Sequence, residues 1–301
     1  MTISRYFKHL AVAAAFAGAA LAGSSAHADG TRLVLAKISS NAVKQLPRLN
    51  AMADALSVAL KPHGVSAVEV RVVADIATAE KAMRAGEIDM LSETVFGALE
   101  LERAGIGEIA MAEWKSGKKQ YHTVFFARKD AAPGLDGLRG NIVAFQDEGS
   151  TSGHHLPAYT LVENGFSLLA DGQSGASDAV RYVFAGEDEI NVVVAVARGQ
   201  AYAGTLSNLD WQDEAAVPPA LRDKLTIIHE TKPILRSVTV LRKDMDPVVR
   251  EHLKTVLEAM GDDPAAKDTL KQYFKVKKFE RIGPEEEAIL SGARSMVRAQ
   301  S

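Results

Sequence analysis

Asn141-Ile142-Val143-Ala144-Phe145-Gln146-Asp147-Glu148-Gly149-Ser150-Thr151-Ser152-Gly153 carries an apolar strand into a glycine- and hydroxyl-rich turn and on into a helical segment. At such a junction the first N–H groups of the helix have no intrahelical partner and point outward with the positive end of the helix dipole. Ser150, Thr151 and Ser152 add hydroxyl donors, so the junction reads as an anion cradle. Gly149 and Gly153 are expected to keep the turn open to positive φ and to close approach by a ligand. A turn of this composition can also do no more than reverse the chain, so the surrounding sequence has to decide.

Upstream, Thr31 to Lys37 reads as a buried strand and Ile38 to Gln45 as a polar loop, followed by a helix opening at Pro47 with Leu49, Met52, Leu56 and Leu60 at helical spacing. Val68, Val70 and Val72 alternate with Glu69 and Arg71 as in a half-buried strand, and Asp75 caps a short helix closed by Gly86. Ile88 to Leu91 and Glu108 to Trp114 are strands on either side of a helix from Val95 to Ala104. Strand and helix in alternation predict a mostly parallel sheet covered on both faces, with ligands at the carboxyl ends of its strands. The informative positions are then the turns after strands: Ser39 to Asn41, Ser92 to Thr94, and Gly149 to Gly153.

The β-rich run Tyr121 to Arg128 reads as a crossing into a second lobe, and Lys232-Pro233 with the strand Ser237 to Leu241 as the crossing back. Helices near Pro247 to Met260, Pro264 to Phe274 and Pro284 to Arg298 would then cover the first lobe. The expected fold is α/β, with two lobes enclosing a cleft. The first lobe takes residues 29–126 and 236–301, the second 127–235.

Residues 1–28 have the form of a signal peptide: Arg5 and Lys8, an apolar run from Leu10 to Ala22, and Ala26-His27-Ala28 before Asp29. The apolar run is too short to span a bilayer, so a periplasmic location after cleavage is expected. The leader holds two basic residues and no acids, so its removal takes the formal charge from −3 to −5. A mildly acidic chain without basic runs is a poor partner for nucleic acid. With no cysteine, thiol chemistry and cysteine-ligated metal are excluded.

The run Gly140-Asn-Ile-Val-Ala-Phe-x-Asp-x-Gly-Ser-Thr-Ser-Gly153, with Leu156-Pro157 after it, resembles the phosphate/phosphite/phosphonate-binding proteins of ABC importers, the PhnD-like periplasmic binding proteins. Gly86-Glu-Ile-Asp89, Gly199-x-x-x-Ala203-Gly204 and Ser207-Asn208-x-Asp210 add weaker matches. The resemblance implies a two-lobed binding-protein fold of type II, two hinge strands, and closure on a ligand. It also implies a small anionic solute held by Ser150, Thr151 and Ser152, no catalysis, no cofactor, a monomer, and an ABC permease as partner. A sensor histidine kinase receiving the same closed form is the alternative partner, and a secreted serine hydrolase using Ser150 or Ser152 is the alternative of another class.

This chain departs from the family pattern at Ser92-Glu93-Thr94-Val95-Phe96, where phosphonate binders place Gly-Pro and an aromatic. Glu93, Thr94 and Phe96 thereby become cleft candidates, and the Glu93 carboxylate is expected to face a protonated ligand or an ammonium group. Glu187-Asp188-Glu189 stands where many members carry a histidine, so Asp188 is a candidate that could equally be a helix cap. Tyr121 and His122 at the lobe junction, Asn41 after the first strand, and Asn208 and Asp210 after a strand of the second lobe complete the set of ligand candidates. His154-His155 lacks metal-ligand spacing, and no metal site is expected.

Overall fold

A computed structural model describes residues 31–131 and 134–298. The signal-peptide reading of residues 1–28 lies outside these described residues. The first half of the chain runs β1 (Thr31–Ile38), α1 (Ala42–Leu60), β2 (Val65–Val73), α2 (Ile76–Arg84), β3 (Met90–Glu93), α3 (Val95–Arg103), β4 (Gly107–Lys115), β5 (Gln120–Tyr121), β6 (Thr123–Arg128) and β7 (Ile142–Phe145). It continues with α4 (Leu156–Glu163), β8 (Leu168–Ala170), β9 (Val180–Phe184), α5 (Glu189–Ala197), β10 (Ala203–Ser207), α6 (Asn208–Gln212), α7 (Pro219–Arg222) and β11 (Leu225–Glu230). The return and the C-terminal part are β12 (Ile234–Leu235), β13 (Val238–Arg242), α8 (Pro247–Met260), α9 (Lys267–Gln272), β14 (Val276–Arg281) and α10 (Pro284–Arg298).

Two six-stranded sheets result, in the orders β14-β4-β13-β3-β1-β2 and β11-β6-β10-β7-β9-β8. In the first, β1 pairs in parallel with β2 and β3, while the returning β13 is inserted antiparallel between β3 and β4. In the second, β7 pairs in parallel with β9 and β10, and β6 runs antiparallel to β10 and β11. The sheets are therefore mixed where a mostly parallel arrangement was expected, because a chain that leaves a lobe and returns must re-enter against the direction it left.

The crossing is shorter than its sequence suggests. Only β5 and β12 form the connecting ribbon, with Tyr121 opposite Ile234 and Gln120 opposite Leu235. Thr123–Arg128, expected to lie largely on the first-lobe side, is built into the second sheet, where Phe125 and Phe126 are buried. Helix α1 also begins earlier than Pro47: Asn41 caps it by accepting from Lys44 N–H at 3.0 Å. Pro47 removes one bond in a turn whose Val43 is 84% exposed, a site that tolerates it.

Apolar faces cover both sides of each sheet. In the first lobe, Leu49, Met52, Leu56 and Leu60 of α1 pack with Leu253 and Leu257 of α8 on one face, and α2, α3 and α10 close the other. In the second, Val192, Val193 and Val196 of α5 cover one face and Ala158 and Leu161 of α4 the other. One cluster joins the lobes: Phe96 of α3 stacks on His155 and Tyr159 of the second lobe at 5.3 and 5.2 Å between ring centroids. Phe96 is thus interlobe core and does not line the cleft.

Asp89 ties three strands of the first sheet. It is 3% exposed, accepts from Val34 N–H at 2.8 Å, and receives Arg242 Nε and Nη2 at 3.0 and 2.9 Å. Arg242 keeps a second carboxylate in Asp244, so removing Asp89 chiefly strands the part-buried Val34 N–H and two guanidinium donors, at a cost of about 1–3 kcal/mol. Asp89→Ala should therefore lower the unfolding free energy by about that amount in a denaturant titration, and a loss below about 1 kcal/mol would refute this role.

Candidate functional site

The turn from β7 into α4 opens on an open cavity between the lobes of about 410 Å³. Ser150 stands at the helix start in extended conformation. Its Oγ accepts from Gly153 N–H at 3.0 Å and donates to Gln146 Oε1 at 3.0 Å, so it fixes the turn. The first turn is wound wide: both His154 N–H and His155 N–H donate to the Ser150 carbonyl, at 3.1 and 3.0 Å, a π-helical start that runs into α4. The N–H groups of Thr151 and Ser152 precede any intrahelical acceptor and lie at the cavity. Thr151 is 2% exposed, and its Oγ1 is buried without a hydrogen-bond partner. A buried hydroxyl left in that state costs about 1–3 kcal/mol.

Two buried threonines hold this turn in place. Thr123 Oγ1 of β6 donates to the Ser152 carbonyl at 2.8 Å, and Thr205 Oγ1 of β10 donates to the Gly153 carbonyl at 2.9 Å. Neither Gly149 nor Gly153 has a positive φ, so the expected left-handed turn is not what requires them. Gly153 is needed for close approach: a Cβ there would meet Gln146 Cβ at 2.6 Å and Ser150 Oγ at 2.8 Å. Gly149 has room, its nearest neighbour being Asp147 Oδ1 at 3.5 Å.

The cavity wall carries four carboxylates, and each is engaged within the chain. Glu93 receives Lys37 Nζ at 3.3 Å on one oxygen and Thr94 N–H at 2.7 Å on the other. Asp210 accepts from Ser207 Oγ at 2.6 Å, Asp147 from Gly149 N–H at 2.9 Å, and Glu189 from Gln146 Nε2 at 3.2 Å. Burial raises the Glu189 pKa, and the neighbouring Asp210 adds to the rise.

The cations stand differently. Lys115 and Arg236 line the same cavity and form no ion pair among the described residues; Arg236 Nη1 donates to the Lys115 carbonyl at 3.1 Å. Burial, then the nearby Lys37, brings the Lys115 pKa down to about 8. Tyr121 is buried between the hinge and the cradle, and desolvation pushes its hydroxyl pKa up, so it is a neutral donor at any working pH. After internal bonds are satisfied, what faces the cavity is an excess of donors: two backbone N–H groups, the Thr151 hydroxyl, an ammonium and a guanidinium.

Among the residues singled out from sequence, Glu93, Thr94, Tyr121, Ser150, Thr151, Ser152 and Asp210 come together at this cavity. Asn41 is a helix cap, and Asn208 is bound to the His122 backbone in both directions. The His122 ring faces Glu230 at 3.8 Å, and Asp188 is exposed at the start of α5 without a side-chain cap bond. These four do not line the cavity. Lys115, Gln146, Asp147, Glu189 and Arg236 were not among the candidates. The positions of Lys115 and Arg236, just before and just after the crossing segments, were the available signal. The described histidine nitrogens make no hydrogen bond to Ser150 or Ser152, and His154 Nδ1 lies 2.8 Å from the Glu148 carbonyl. Among the described residues, no group of three or more His, Asp or Glu is arranged for a metal.

Residues 36–286 match the family described as ABC transporter, phosphonate, periplasmic substrate-binding protein. The phosphate-import protein PhnD of Mycolicibacterium smegmatis is 28% identical over 220 residues, covering 69% of this chain and 66% of that protein, slightly less than two thirds of its length. The structure of XAC2383 from Xanthomonas citri, solved with chloride and also with ATP, is similar at 30% identity, with TM-scores of 0.83 and 0.82. The chloride form covers 89% of this chain and 98% of that one. PhnD1 from Prochlorococcus marinus, solved with methylphosphonate, shares the fold at 18% identity and a TM-score of 0.64, covering 89% of this chain and 98% of that one.

Gly153→Ala should displace Ser150 and Gln146, cost about 1–3 kcal/mol of stability, and weaken anion binding tenfold or more in calorimetry; binding at wild-type strength would show that the close approach is dispensable. The Lys115 pKa gives a second expectation. Its positive charge favours an anion and is lost as pH rises through about 8. Anion affinity relative to the Lys115→Arg variant, which stays charged, should therefore decline between pH 7 and pH 9.5, and a constant ratio would exclude Lys115 from the site.

Proposed function

The chain belongs to the periplasmic substrate-binding proteins of phosphonate ABC transporters, and from that membership we propose that its interlobe cleft captures a small phosphorus oxyanion and presents it to an ABC permease. The observation that carries the reading is the orphaned Thr151 hydroxyl, buried at a helix N-terminus beside two free N–H groups. A tetrahedral oxyanion offers acceptors in several directions at once and would satisfy all three. Lys115 and Arg236 on the same cavity's wall make it favourable to an anion overall, and Glu93 is no obstacle: that carboxylate is paired with Lys37, so the ligand need not protonate it.

The relatives support the class of solute. One is a phosphate importer and the other was solved with a nucleotide triphosphate, each a phosphorus oxyanion. Membership also supports a periplasmic location and a binding role without catalysis. It favours the permease over a sensor kinase as partner. Capture would close the two lobes about the β5–β12 ribbon.

A thermal-shift screen of residues 29–301 against phosphate, phosphite, methylphosphonate and 2-aminoethylphosphonate tests this. A ligand at a hundred times its dissociation constant adds about 2.7 kcal/mol of stability. Thr151→Val keeps the shape and removes the hydroxyl, and one hydrogen bond to a charged group is worth about 1.5–3 kcal/mol, so affinity for the hit should fall tenfold or more. No shift with any phosphorus oxyanion, or an unaffected Thr151→Val variant, would contradict the cradle.

A further inference from the structure

The cavity is larger than the anion that its cradle holds. Five heavy atoms, each allowed the roughly 30 Å³ a water occupies in the liquid, fill about 150 Å³, against a cavity of about 410 Å³. The wall facing the cradle comes from the first lobe and the hinge, and its charge differs from that of the second lobe. On the second-lobe side stand Asp147, Glu189 and Asp210, which repel any further negative charge. On the other side stand Lys115, at the end of β4, and Arg236, between β12 and β13, held next to each other by the 3.1 Å bond from the guanidinium to the lysine carbonyl.

Neighbouring groups crowd these two cations with more positive charge. The Phe274 ring carries Lys115, Arg48 and Lys37 around it at 5.6, 5.7 and 5.9 Å. Phe274 and the following Lys275 sit at φ 51° and 57°, a left-handed backbone that side chains other than glycine rarely adopt, so the ring's placement is held against local preference. Lys37 is committed to Glu93 and to the Ser92 carbonyl, and Glu113 is filled by the hydroxyls of Ser92, Ser237 and Thr239. Among the described residues Lys115 and Arg236 form no ion pair, and Glu113 and Glu93 act on Lys115 only from beyond ion-pair distance. Burial, Lys37 and Arg236 depress the Lys115 pKa and Glu113 and Glu93 offset this only in part, so a net cost remains that an incoming anion would relieve.

We propose that Lys115 and Arg236 form a second anion subsite facing the helix cradle, and that the solute is a phosphonate or phosphate monoester whose far end bears a second anionic group. This rests on the cradle reading above. The second-lobe carboxylates fix the orientation, since only the first-lobe wall accepts the additional negative charge. A ligand held this way bridges the lobes through its two ends, so its length and charge both contribute to selection.

Calorimetric titration of residues 29–301 with 3-phosphonopropionate, propylphosphonate and 2-aminoethylphosphonate, compounds of similar length ending in a carboxylate, a methyl and an ammonium, decides the matter. The expected result is that 3-phosphonopropionate binds at least tenfold more tightly than either of the others. In Lys115→Met and Arg236→Gln the ratio to propylphosphonate should collapse to below threefold. If propylphosphonate or 2-aminoethylphosphonate binds as tightly as the carboxylate compound, the second subsite is wrong while the cradle stands. If the preference persists in both variants, these residues are not its source. If none of the three binds while phosphate or methylphosphonate does, the subsite is wrong and the cradle stands; if those two fail as well, both readings fall. The wild-type comparison alone can overturn the proposal should either variant fail to fold.

Discussion

The site depends on two hydrogen bonds that hold the first turn of a helix to the end of a sheet. Thr123 Oγ1 and Thr205 Oγ1, both fully buried, take the carbonyls of Ser152 and Gly153. A wide first turn is not favoured by the helix itself, and without such anchors it would relax toward ordinary winding. With them, the carbonyls point into the sheet and the N–H groups of Thr151 and Ser152 are left for the cavity. Gly153 makes the geometry possible, because any side chain there would collide with Gln146 and Ser150. Preorganised donors of this kind need no rearrangement when an anion arrives, so little binding energy is lost to ordering them.

Charge is distributed between the lobes with the same economy. The carboxylates around the cavity are bonded within the chain, Glu93 most completely, by Lys37 and by Thr94. Lys115 and Arg236, which form no ion pair among the described residues, come from the hinge region, where the chain passes between lobes. A ligand that touches them and the cradle touches both lobes and the ribbon between them, and its binding energy differs between the open and closed arrangements. Such differential contact is what allows a ligand to shift a two-state equilibrium. The stack of Phe96 with His155 and Tyr159 lies beside the cradle and joins the lobes through apolar contact, independent of the ligand.

Much of this was legible in the sequence because it is local. Valine alternation marked β2, Asp75 marked the start of α2, and the strand, glycine and hydroxyl run marked the turn from β7 into the helix start at Ser150. Asn41 and Asn208 show where local reading misleads: polar residues after strands serve as caps and loop ties as readily as ligand contacts, and Asp188 stands exposed at a helix start with no side-chain cap bond. β11 and β14 escaped because they are edge strands whose register shifts, at Ile227/His229 and Val276/Phe279, break the two-residue alternation. The cations had only their positions beside the crossing segments as a signal, and nothing local brings them together. Arg236 and Lys115 are 121 residues apart and meet only because β5 and β12 pair across the crossing. Glu93 lines the cavity, but its pairing with Lys37 requires β1 and β3 to be adjacent, which no spacing reveals.

The most direct measurement is of the amide resonances themselves. In a two-dimensional ¹H–¹⁵N spectrum of residues 29–301 titrated with phosphate or methylphosphonate, a helix cradle for the anion predicts large downfield proton shifts at Thr151 and Ser152, saturating with the ligand. Saturable shifts elsewhere with these two amides unmoved would place the anion outside the cradle and contradict the account.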